Sequence, residues 1–346
     1  MEPRNFERYL EAKYALDSRS INPTVSRRFR ELLQSAGPLR RRGARPLRVC
    51  DLGTGTGAMV RRVLQSVGGP LEVTALDLNA ESLVQAGDYT LQAMRAEGFR
   101  SGGDSGPAGG RGLSAHDQAG PAGPPGGGAA GADRANTKTT GSEQLVLHDY
   151  QDRAHTVRFR ELDLGSAAGR TRLAAERFDL ITGHAIMDLL PLKPSAEAMA
   201  QALEPGGLLY ATLTYNGATT VLPGYHDRGF EEAVFELYDA SMDARGGAYG
   251  GRRAGARLFD AVAAAGFALE GFGASDWQIV PGAHGYLGGD AVVAEALIAM
   301  IHRELSGSRS LKQRDLDRWR EKRLAQIEAS ELTIVVHHTD LLARKP

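Results

Sequence analysis

The sequence predicts an α/β fold built on a mostly parallel sheet with helices on both faces. Short apolar runs, typical of buried parallel strands, alternate with segments of helical periodicity through most of the chain. A strand–helix–strand order of this kind requires crossover helices that cover the sheet. The predicted strands are 47–52, 71–78, 145–148, 156–162, 178–182, 208–214, 267–279 and 332–338.

The composition is that of a globular protein without a strongly charged partner. The chain has 346 residues, of which 42% are hydrophobic and 24% charged, and 41 basic against 42 acidic side chains give a formal net charge of -1. A protein that binds nucleic acid through its phosphates normally carries a basic excess or a basic face. The run Arg40-Arg41-Arg42 is short and is interpreted as a solvated linker, so a nucleic-acid partner is disfavoured.

The single cysteine and the absence of long apolar segments predict a cytoplasmic protein with no membrane association. Cys50 cannot form an internal disulfide, and its apolar surroundings indicate a buried strand thiol rather than a nucleophile. The first residues lack the apolar core of a signal peptide. The apolar stretch 291–300 is too short to span a bilayer.

Residues 101–142 differ in composition from the rest of the chain. They contain 13 Gly and 4 Pro, and Leu113 is their only large apolar residue. Such a segment buries too little surface to offset the entropy of ordering it, which predicts a disordered insertion in a surface loop. The predicted organisation is an N-terminal helical lid at 1–38 and a main domain at 39–346, with a helical insertion at 281–330.

The predicted helix at 289–305 carries an apolar stripe. Packing of this stripe onto its own domain is favoured, and a homodimer through the C-terminal helices is the alternative. The stripe consists of Val293, Leu297, Met300, Ile301 and Leu305.

The strongest local signal is a glycine-rich turn between the first strand and its helix, Asp51-Leu52-Gly53-Thr54-Gly55-Thr56-Gly57. Glycine lets the backbone approach a ligand closely and adopt conformations that other residues avoid. By itself the turn is ambiguous. Gly53, Gly55 and Ala58 also satisfy the dinucleotide fingerprint, with Asp77 placed as an NAD-ribose acid would be.

This turn resembles the first motif of the class I S-adenosylmethionine (SAM)-dependent methyltransferases, in which an acid precedes a G-x-G-x-G turn against the methionine and ribose of SAM. The resemblance implies that Asp77 binds the ribose hydroxyls, that Leu78 lies beside the adenine, and that Asp163 accepts a hydrogen bond from the adenine amino group. The cofactor-binding residues so implied are Asp51, Gly53, Thr54, Gly55, Gly57, Asp77, Leu78, Asp163, Leu164 and His184.

Further matches follow in the order that the family shows. Residues 178–182 look like its fourth strand, and 203–207 resemble the turn before its fifth. The family sheet has seven strands and ends in an antiparallel hairpin, which 267–279 and 332–338 would supply. A NAD enzyme would account for the first two motifs and has no need of the rest.

The resemblance implies in-line methyl transfer, which needs a general base only when the nucleophile must lose a proton. His184, after the fourth strand, and His226, in Tyr225-His226-Asp227, are the catalytic candidates. Each has another interpretation. His184 could line the cofactor pocket or be a packed histidine. The sequence around His226 could be a helix cap, with Asp227 as the capping residue. No metal is predicted.

The predicted function is methyl transfer from SAM to an unidentified small-molecule acceptor. The N/D-P-P-Y motif of amino-directed nucleic-acid methylases is absent, since the matching place reads His184-Ala185-Ile186-Met187. The alternatives are an NAD(P)-dependent oxidoreductase and a SAM-binding protein without methyl transfer. Near the N-terminus, Arg19 either pairs with the methionine carboxylate of SAM or belongs to a surface loop with local caps.

Overall fold

Five parallel strands form the centre of the sheet. The computed structural model describes residues 3–34, 45–102, 144–244 and 249–346. The central strands lie in the order β5-β2-β1-β6-β7, and β1 is buried between two neighbours, with Cys50 opposite Thr74 and Ile181. Cys50 is fully buried, as the sequence predicts. The bounds are β1 Leu47–Leu52, β2 Leu71–Asp77, β5 Ala154–Glu161, β6 Phe178–His184 and β7 Leu203–Leu222.

Helices cover both faces of this sheet, and each face has its own apolar core. One core packs helices α2, α3 and α4 against the sheet, and the other packs α5, α6 and α8. Ser166 caps α5, a helix that the sequence analysis missed, by accepting a hydrogen bond from the Gly169 N–H. The bounds are α2 Pro23–Gln34, α3 Ala58–Ser66, α4 Ala80–Ala96, α5 Ala167–Ala174, α6 Leu192–Ala202 and α8 Ala254–Ala264.

The sheet ends in antiparallel strands, as the resemblance implies. Strand β10, Thr333–Arg344, pairs with β7 along most of its length, from Thr333 opposite Leu222 to Arg344 opposite Leu208. The predicted strand at 267–279 is two strands, β8 Ala268–Ala274 and β9 Trp277–Ile279, and both pair with β10.

The predicted fold class is confirmed, but the count of seven strands is wrong, because the described residues form a sheet of ten strands. Seven of them, in the order β5-β2-β1-β6-β7-β10-β8, form the predicted core. Strand β9 is one addition. The other two, β3 Arg100–Ser101 and β4 Gln144–His148, form an antiparallel pair beyond β5. Ser101, the first residue of the predicted disordered insertion, thus belongs to the sheet, as does Arg100 before it. The rest of that insertion from 103 to 142 lies outside the described residues, and so does the arginine run at 40–42.

A third apolar core lies beyond the carboxyl ends of the central strands. It is formed by the second half of β7, the first half of β10, strand β9 and four helices. The predicted stripe on α9 is part of it: Val293 and Ile301 are fully buried and Leu297 and Leu305 nearly so. Met300, the fifth member, is half-buried against the same core. The stripe therefore packs mainly within its own chain, the arrangement that the sequence analysis favours. The helices are α1 Pro3–Ser20, α7 Arg228–Asp243, α9 Asp290–Leu305 and α10 Gln313–Glu328.

The two N-terminal helices pack in different places. Helix α1 contacts α9 and β9, and α2 contacts β8 and β10. Phe29 of α2 also stacks on Tyr210 of β7, with ring centroids 4.4 Å apart. Asn22, between them, caps α2 by accepting from the Thr24 and Val25 N–H groups. Among the helices of the described residues, none is long and apolar enough to cross a membrane.

The β3–β4 pair generates a test of the insertion. We expect that replacing residues 103–143 with Asn-Gly leaves the fold intact, because Ser101 stays opposite Leu147 and Gly102 still donates to the Val146 carbonyl. The midpoint of thermal unfolding should shift by only a few degrees. An insoluble or unfolded product would show that 103–143 contributes to the stability of the core.

Candidate functional site

A cavity of about 490 Å³ opens at the carboxyl ends of β1, β2, β5 and β6. Open α/β sheets bind ligands at this edge. Every residue predicted to bind the cofactor lines the cavity except Gly57, which precedes α3. The lining also includes Leu10 and Lys13 from α1, Asn79 and Ser82 from the start of α4, Ile186, Leu189 and Leu190 after β6, and Tyr249.

The glycines of the turn are required by its geometry. Gly53, Gly55 and Gly57 have φ of +62°, +52° and +81°, a region that other residues rarely adopt. A Cβ at Gly53 would lie 2.5 Å from Cγ1 of Ile186, and one at Gly57 would lie 2.7 Å from Oγ1 of Thr90. Gly57 therefore acts on the cavity indirectly, by letting α3 pack closely on α4.

Asp77 is held rigidly at the end of β2. Its Oδ2 accepts a hydrogen bond from the Gly55 N–H at 2.8 Å, and its Oδ1 accepts from the Asn79 N–H at 2.9 Å. The cap of α4 is Asn79, whose side chain accepts from the Glu81 and Ser82 N–H groups. The cap of α4 is therefore Asn79 and not Asp77. The carboxylate of Asp77 instead links the glycine turn to the end of β2 and lines the cavity.

Asp51 is buried at the floor of the cavity, with 1% of its surface exposed. Oδ1 accepts a hydrogen bond from the Thr182 hydroxyl at 2.7 Å. Oδ2 is buried and makes no hydrogen bond of standard geometry to the described residues, although the Thr54 hydroxyl lies near the carboxylate. Burial raises the pKa of Asp51 to about 6. A buried carboxylate oxygen without a donor is a favourable place for a polar or cationic ligand group.

The third strand end contributes a carboxylate and apolar surface. Asp163 is exposed, and its Oδ1 accepts from the Gly165 N–H at 2.9 Å. Leu164 is buried, while Leu78 is 64% exposed at the cavity. Tyr249 also lines this side, and sequence analysis missed it because it follows no predicted strand.

His184 is part of a buried network around Asp17. The Asp17 carboxylate, which is fully buried, accepts hydrogen bonds from Lys13 Nζ at 2.6 Å, from His184 Nε2 at 2.9 Å and from Trp277 Nε1 at 3.0 Å. Nδ1 of His184 lies 2.7 Å from the Thr212 hydroxyl. Since Asp17 is an acceptor, we assign the imidazole proton to Nε2, and the Thr212 hydroxyl donates to Nδ1.

This network occupies both ring nitrogens of the histidine that was predicted as a catalytic base. Burial lowers the pKa of His184 to about 4, so the ring is neutral near pH 7. Burial also raises the pKa of Asp17, but Lys13 and His184 outweigh this effect and hold it well below its ordinary value. His184 lines the cavity as a neutral ring that binds α1, without a free nitrogen for proton abstraction.

The structure leaves the other catalytic candidate away from the cavity. His226 is exposed beside Tyr225, and Asp227 caps α7 by accepting from the Phe230 N–H at 3.0 Å. The structure therefore agrees with the alternative interpretation, in which Tyr225-His226-Asp227 forms a helix cap. Arg19 pairs with Asp290 and does not line the cavity.

The charged side chains of the cavity are mainly acidic. Asp51, Asp77 and Asp163 line it, and Lys13, the only basic side chain among the described lining residues, is paired with Asp17. No group of three or more described His, Cys, Asp or Glu residues is arranged to hold a metal ion. Such a cavity favours a ligand with positive charge over one with phosphates.

Comparisons with known proteins give weak similarities. No family model matches the chain, and no curated protein matches it. Among solved structures, the cyclopropane synthase MmaA2 from Mycobacterium tuberculosis is 12% identical over 92% of this chain and 83% of its own, with a TM-score of 0.36. The [4+2]-cyclase SpnF is 14% identical over 92% and 81%, with a TM-score of 0.36.

A phosphoethanolamine N-methyltransferase from Haemonchus contortus, in complex with SAM, is 14% identical over 89% of this chain and 51% of its own, with a TM-score of 0.33. Identity and TM-score are low for all three structures. What the cavity of this protein binds is therefore inferred below from its own residues.

The Asp17 network predicts a large effect on stability. We expect Asp17→Asn to lower the free energy of unfolding by about 3–5 kcal/mol, because it leaves the Lys13 ammonium buried without its counter-charge. Urea denaturation measures the change. Asp88→Asn, at an exposed position of α4, is the matched control and should have little effect. If the double variant Lys13→Met, Asp17→Asn is no more stable than Asp17→Asn alone, the buried charge is not the cause.

Proposed function

We propose that this protein binds SAM in the cavity at the carboxyl ends of the central strands and transfers its methyl group to a small-molecule acceptor. The observation that carries the proposal is the charge of the cavity: three carboxylates surround the glycine turn, and the one lysine is already paired. SAM brings a sulfonium and an ammonium group, whereas a dinucleotide brings two phosphates. The carboxylates attract the first and repel the second.

Each carboxylate has a proposed partner on the cofactor. Asp77, held by two backbone N–H groups, accepts from the two ribose hydroxyls, and Asp163 accepts from the adenine amino group. Leu78 and Leu164 contact the adenine ring. Asp51 lies at the methionine end, where its Oδ2 has the Thr54 hydroxyl nearby but no hydrogen bond of standard geometry. The residues present therefore fit SAM.

When bound, SAM supplies an activated methyl group, so the chain's own residues have to orient the acceptor and exclude water. Ile186, Leu189 and Leu190 provide apolar surface on the side of the cavity that follows β6. Both nitrogens of His184 are occupied, which favours an acceptor that attacks without losing a proton to this residue. A cavity of about 490 Å³ also favours a small acceptor.

We further propose that α1 is the lid predicted for the N-terminal segment. Leu10 and Lys13 line the cavity, and α1 is held over it by Arg61, which pairs with Glu11 at 2.8 Å. A lid of this kind excludes water from the reacting groups. The buried single Cys50 fits a reducing compartment, so we propose that the protein is cytoplasmic.

Calorimetric titration with SAM and with NADH tests the ligand class. SAM should bind and NADH should not, and the two ligands share little beyond adenosine. We expect Asp77→Asn to weaken SAM binding by about 10- to 100-fold, because it replaces a charged acceptor of two ribose hydroxyls. Asn retains one acceptor for the glycine turn, which limits the effect on the fold.

Asp88→Asn is again the matched control and should bind SAM like the wild type. Absence of heat with SAM at millimolar concentration, or an unchanged affinity in Asp77→Asn, would contradict the proposed site. Binding of NADH in place of SAM would favour the oxidoreductase alternative. SAM binding without formation of S-adenosylhomocysteine across a broad acceptor panel would favour a binding protein without methyl transfer.

The raised pKa of Asp51 predicts that SAM affinity depends on pH. A cationic ligand prefers the ionised carboxylate, so it lowers this pKa and releases the proton that Asp51 holds below about pH 6. The dissociation constant should therefore rise about tenfold as the pH falls from 7.5 to 5.0. Asp51→Asn should bind more weakly at pH 7.5 and show a flatter profile. A wild-type affinity that is constant over this range would argue against the placement of Asp51 beside the positive charge.

A further inference from the structure

A second cavity, of about 530 Å³, lies between α1, α2 and α3. Met59 lines both cavities and so forms part of the wall between them. The described lining of the second cavity contains three arginines and no Asp or Glu. Its polar side includes Ser18, Arg19, Ser26, Arg30, Arg62 and Tyr210.

The N–H groups of Arg62 outnumber the acceptors that the described residues offer them. Its Nη2 donates to the Tyr14 carbonyl at 3.1 Å and to the Ser18 hydroxyl at 3.0 Å. Its Nε is buried without a partner among the described residues. Nη1 lies 3.5 Å from Nε2 of His184, the nitrogen that donates to Asp17 and so accepts nothing. No described carboxylate lies within ion-pair distance of Arg62.

Two further polar groups of this cavity, on Tyr210 and Arg30, also have fewer partners than they can bind. Tyr210 is 3% exposed, and its hydroxyl makes no standard hydrogen bond to the described residues, although the Ser26 hydroxyl lies near it. Arg30 donates to the same Ser26 hydroxyl at 3.2 Å and has no carboxylate partner among the described residues. Burial and the nearby Asp340 raise the pKa of Tyr210, while the charges of Arg30 and Arg62 act in the opposite direction. Tyr210, Arg30 and Arg62 all line this cavity.

The charge balance identifies the missing ligand as an anion. Arg19 pairs with Asp290, whereas the exposed Arg30 and the half-buried Arg62 have no carboxylate within ion-pair distance among the described residues. Arg62 lies over the Tyr14 ring, 4.4 Å from its centroid, and is attracted by the more distant Asp17. The Arg62 guanidinium is largely removed from water, which costs free energy unless an acceptor, best a charged one, matches its buried Nε. A carboxylate or a phosphate matches the planar donors of arginine in bidentate fashion.

We propose that this cavity is a second binding site, for a small organic anion with a carboxylate or phosphate head group. Arg30, Arg62 and the Tyr210 hydroxyl hold the head group, and Ile21, Phe29 and Val63 contact the apolar part of the ligand. The volume is that of a small-molecule site. This inference does not rest on methyl transfer in the first cavity.

Titration calorimetry with benzoate, phenyl phosphate and benzyl alcohol tests the site. At least one of the two anions should bind, and the tighter of them identifies the head group, whereas the uncharged alcohol should bind at least tenfold more weakly. Arg30→Gln and Tyr210→Phe should each weaken the anion at least fivefold. Arg27→Gln, at an exposed position of α2 outside the cavity, is the matched control and should leave binding unchanged.

Two results would overturn the proposal. One is an anion affinity that neither Arg30→Gln nor Tyr210→Phe alters, with folding verified by circular dichroism. The other is displacement of the anion by S-adenosylhomocysteine, which would place the anion in the first cavity. If the protein binds the anion here but binds no SAM, the proposed function fails and the second site stands.

Discussion

The carboxylate of Asp17 is the interaction on which the geometry of the first cavity depends. It receives hydrogen bonds from its own helix, from the end of β6 and from β9, through Lys13, His184 and Trp277 respectively. A fully buried charge is tolerated only when donors surround it, so the three elements have to stay together. The position of α1 over the glycine turn follows from this requirement, and with it the enclosure of the cavity.

The parts of the cavity that sequence could predict are those that depend on short segments. Asp51, Asp77 and Asp163 each stand at or just after the end of a strand, and parallel strands bring their carboxyl ends to one edge of a sheet. The positive φ of Gly53 and Gly55 is likewise a local property of the turn. Local patterning therefore predicted the central sheet and the acidic edge together.

The parts that sequence could not predict depend on distant partners. His184 has the composition and place of a catalytic base, and only its contact with Asp17, 167 positions away, shows that Nε2 is occupied. The prediction ended the fifth parallel strand at 214, but β7 continues through Gly217 and Ala218, both at positive φ, to Leu222. Pairing with β10 maintains the strand through this irregularity. The same pairing supports the third core, in which most of the apolar stripe of α9 is buried.

The bond from Trp277 to Asp17 also gives the protein an internal optical reporter. The chain has two tryptophans, and the other, Trp319, is fully buried beside Glu231, to which it donates at 2.9 Å. The indole of Trp277 donates to the carboxylate that holds α1, so a displacement of this helix would change the polarity around that fluorophore. Emission from Trp277 would therefore register the displacement of α1 that the proposed lid function requires, without an attached dye.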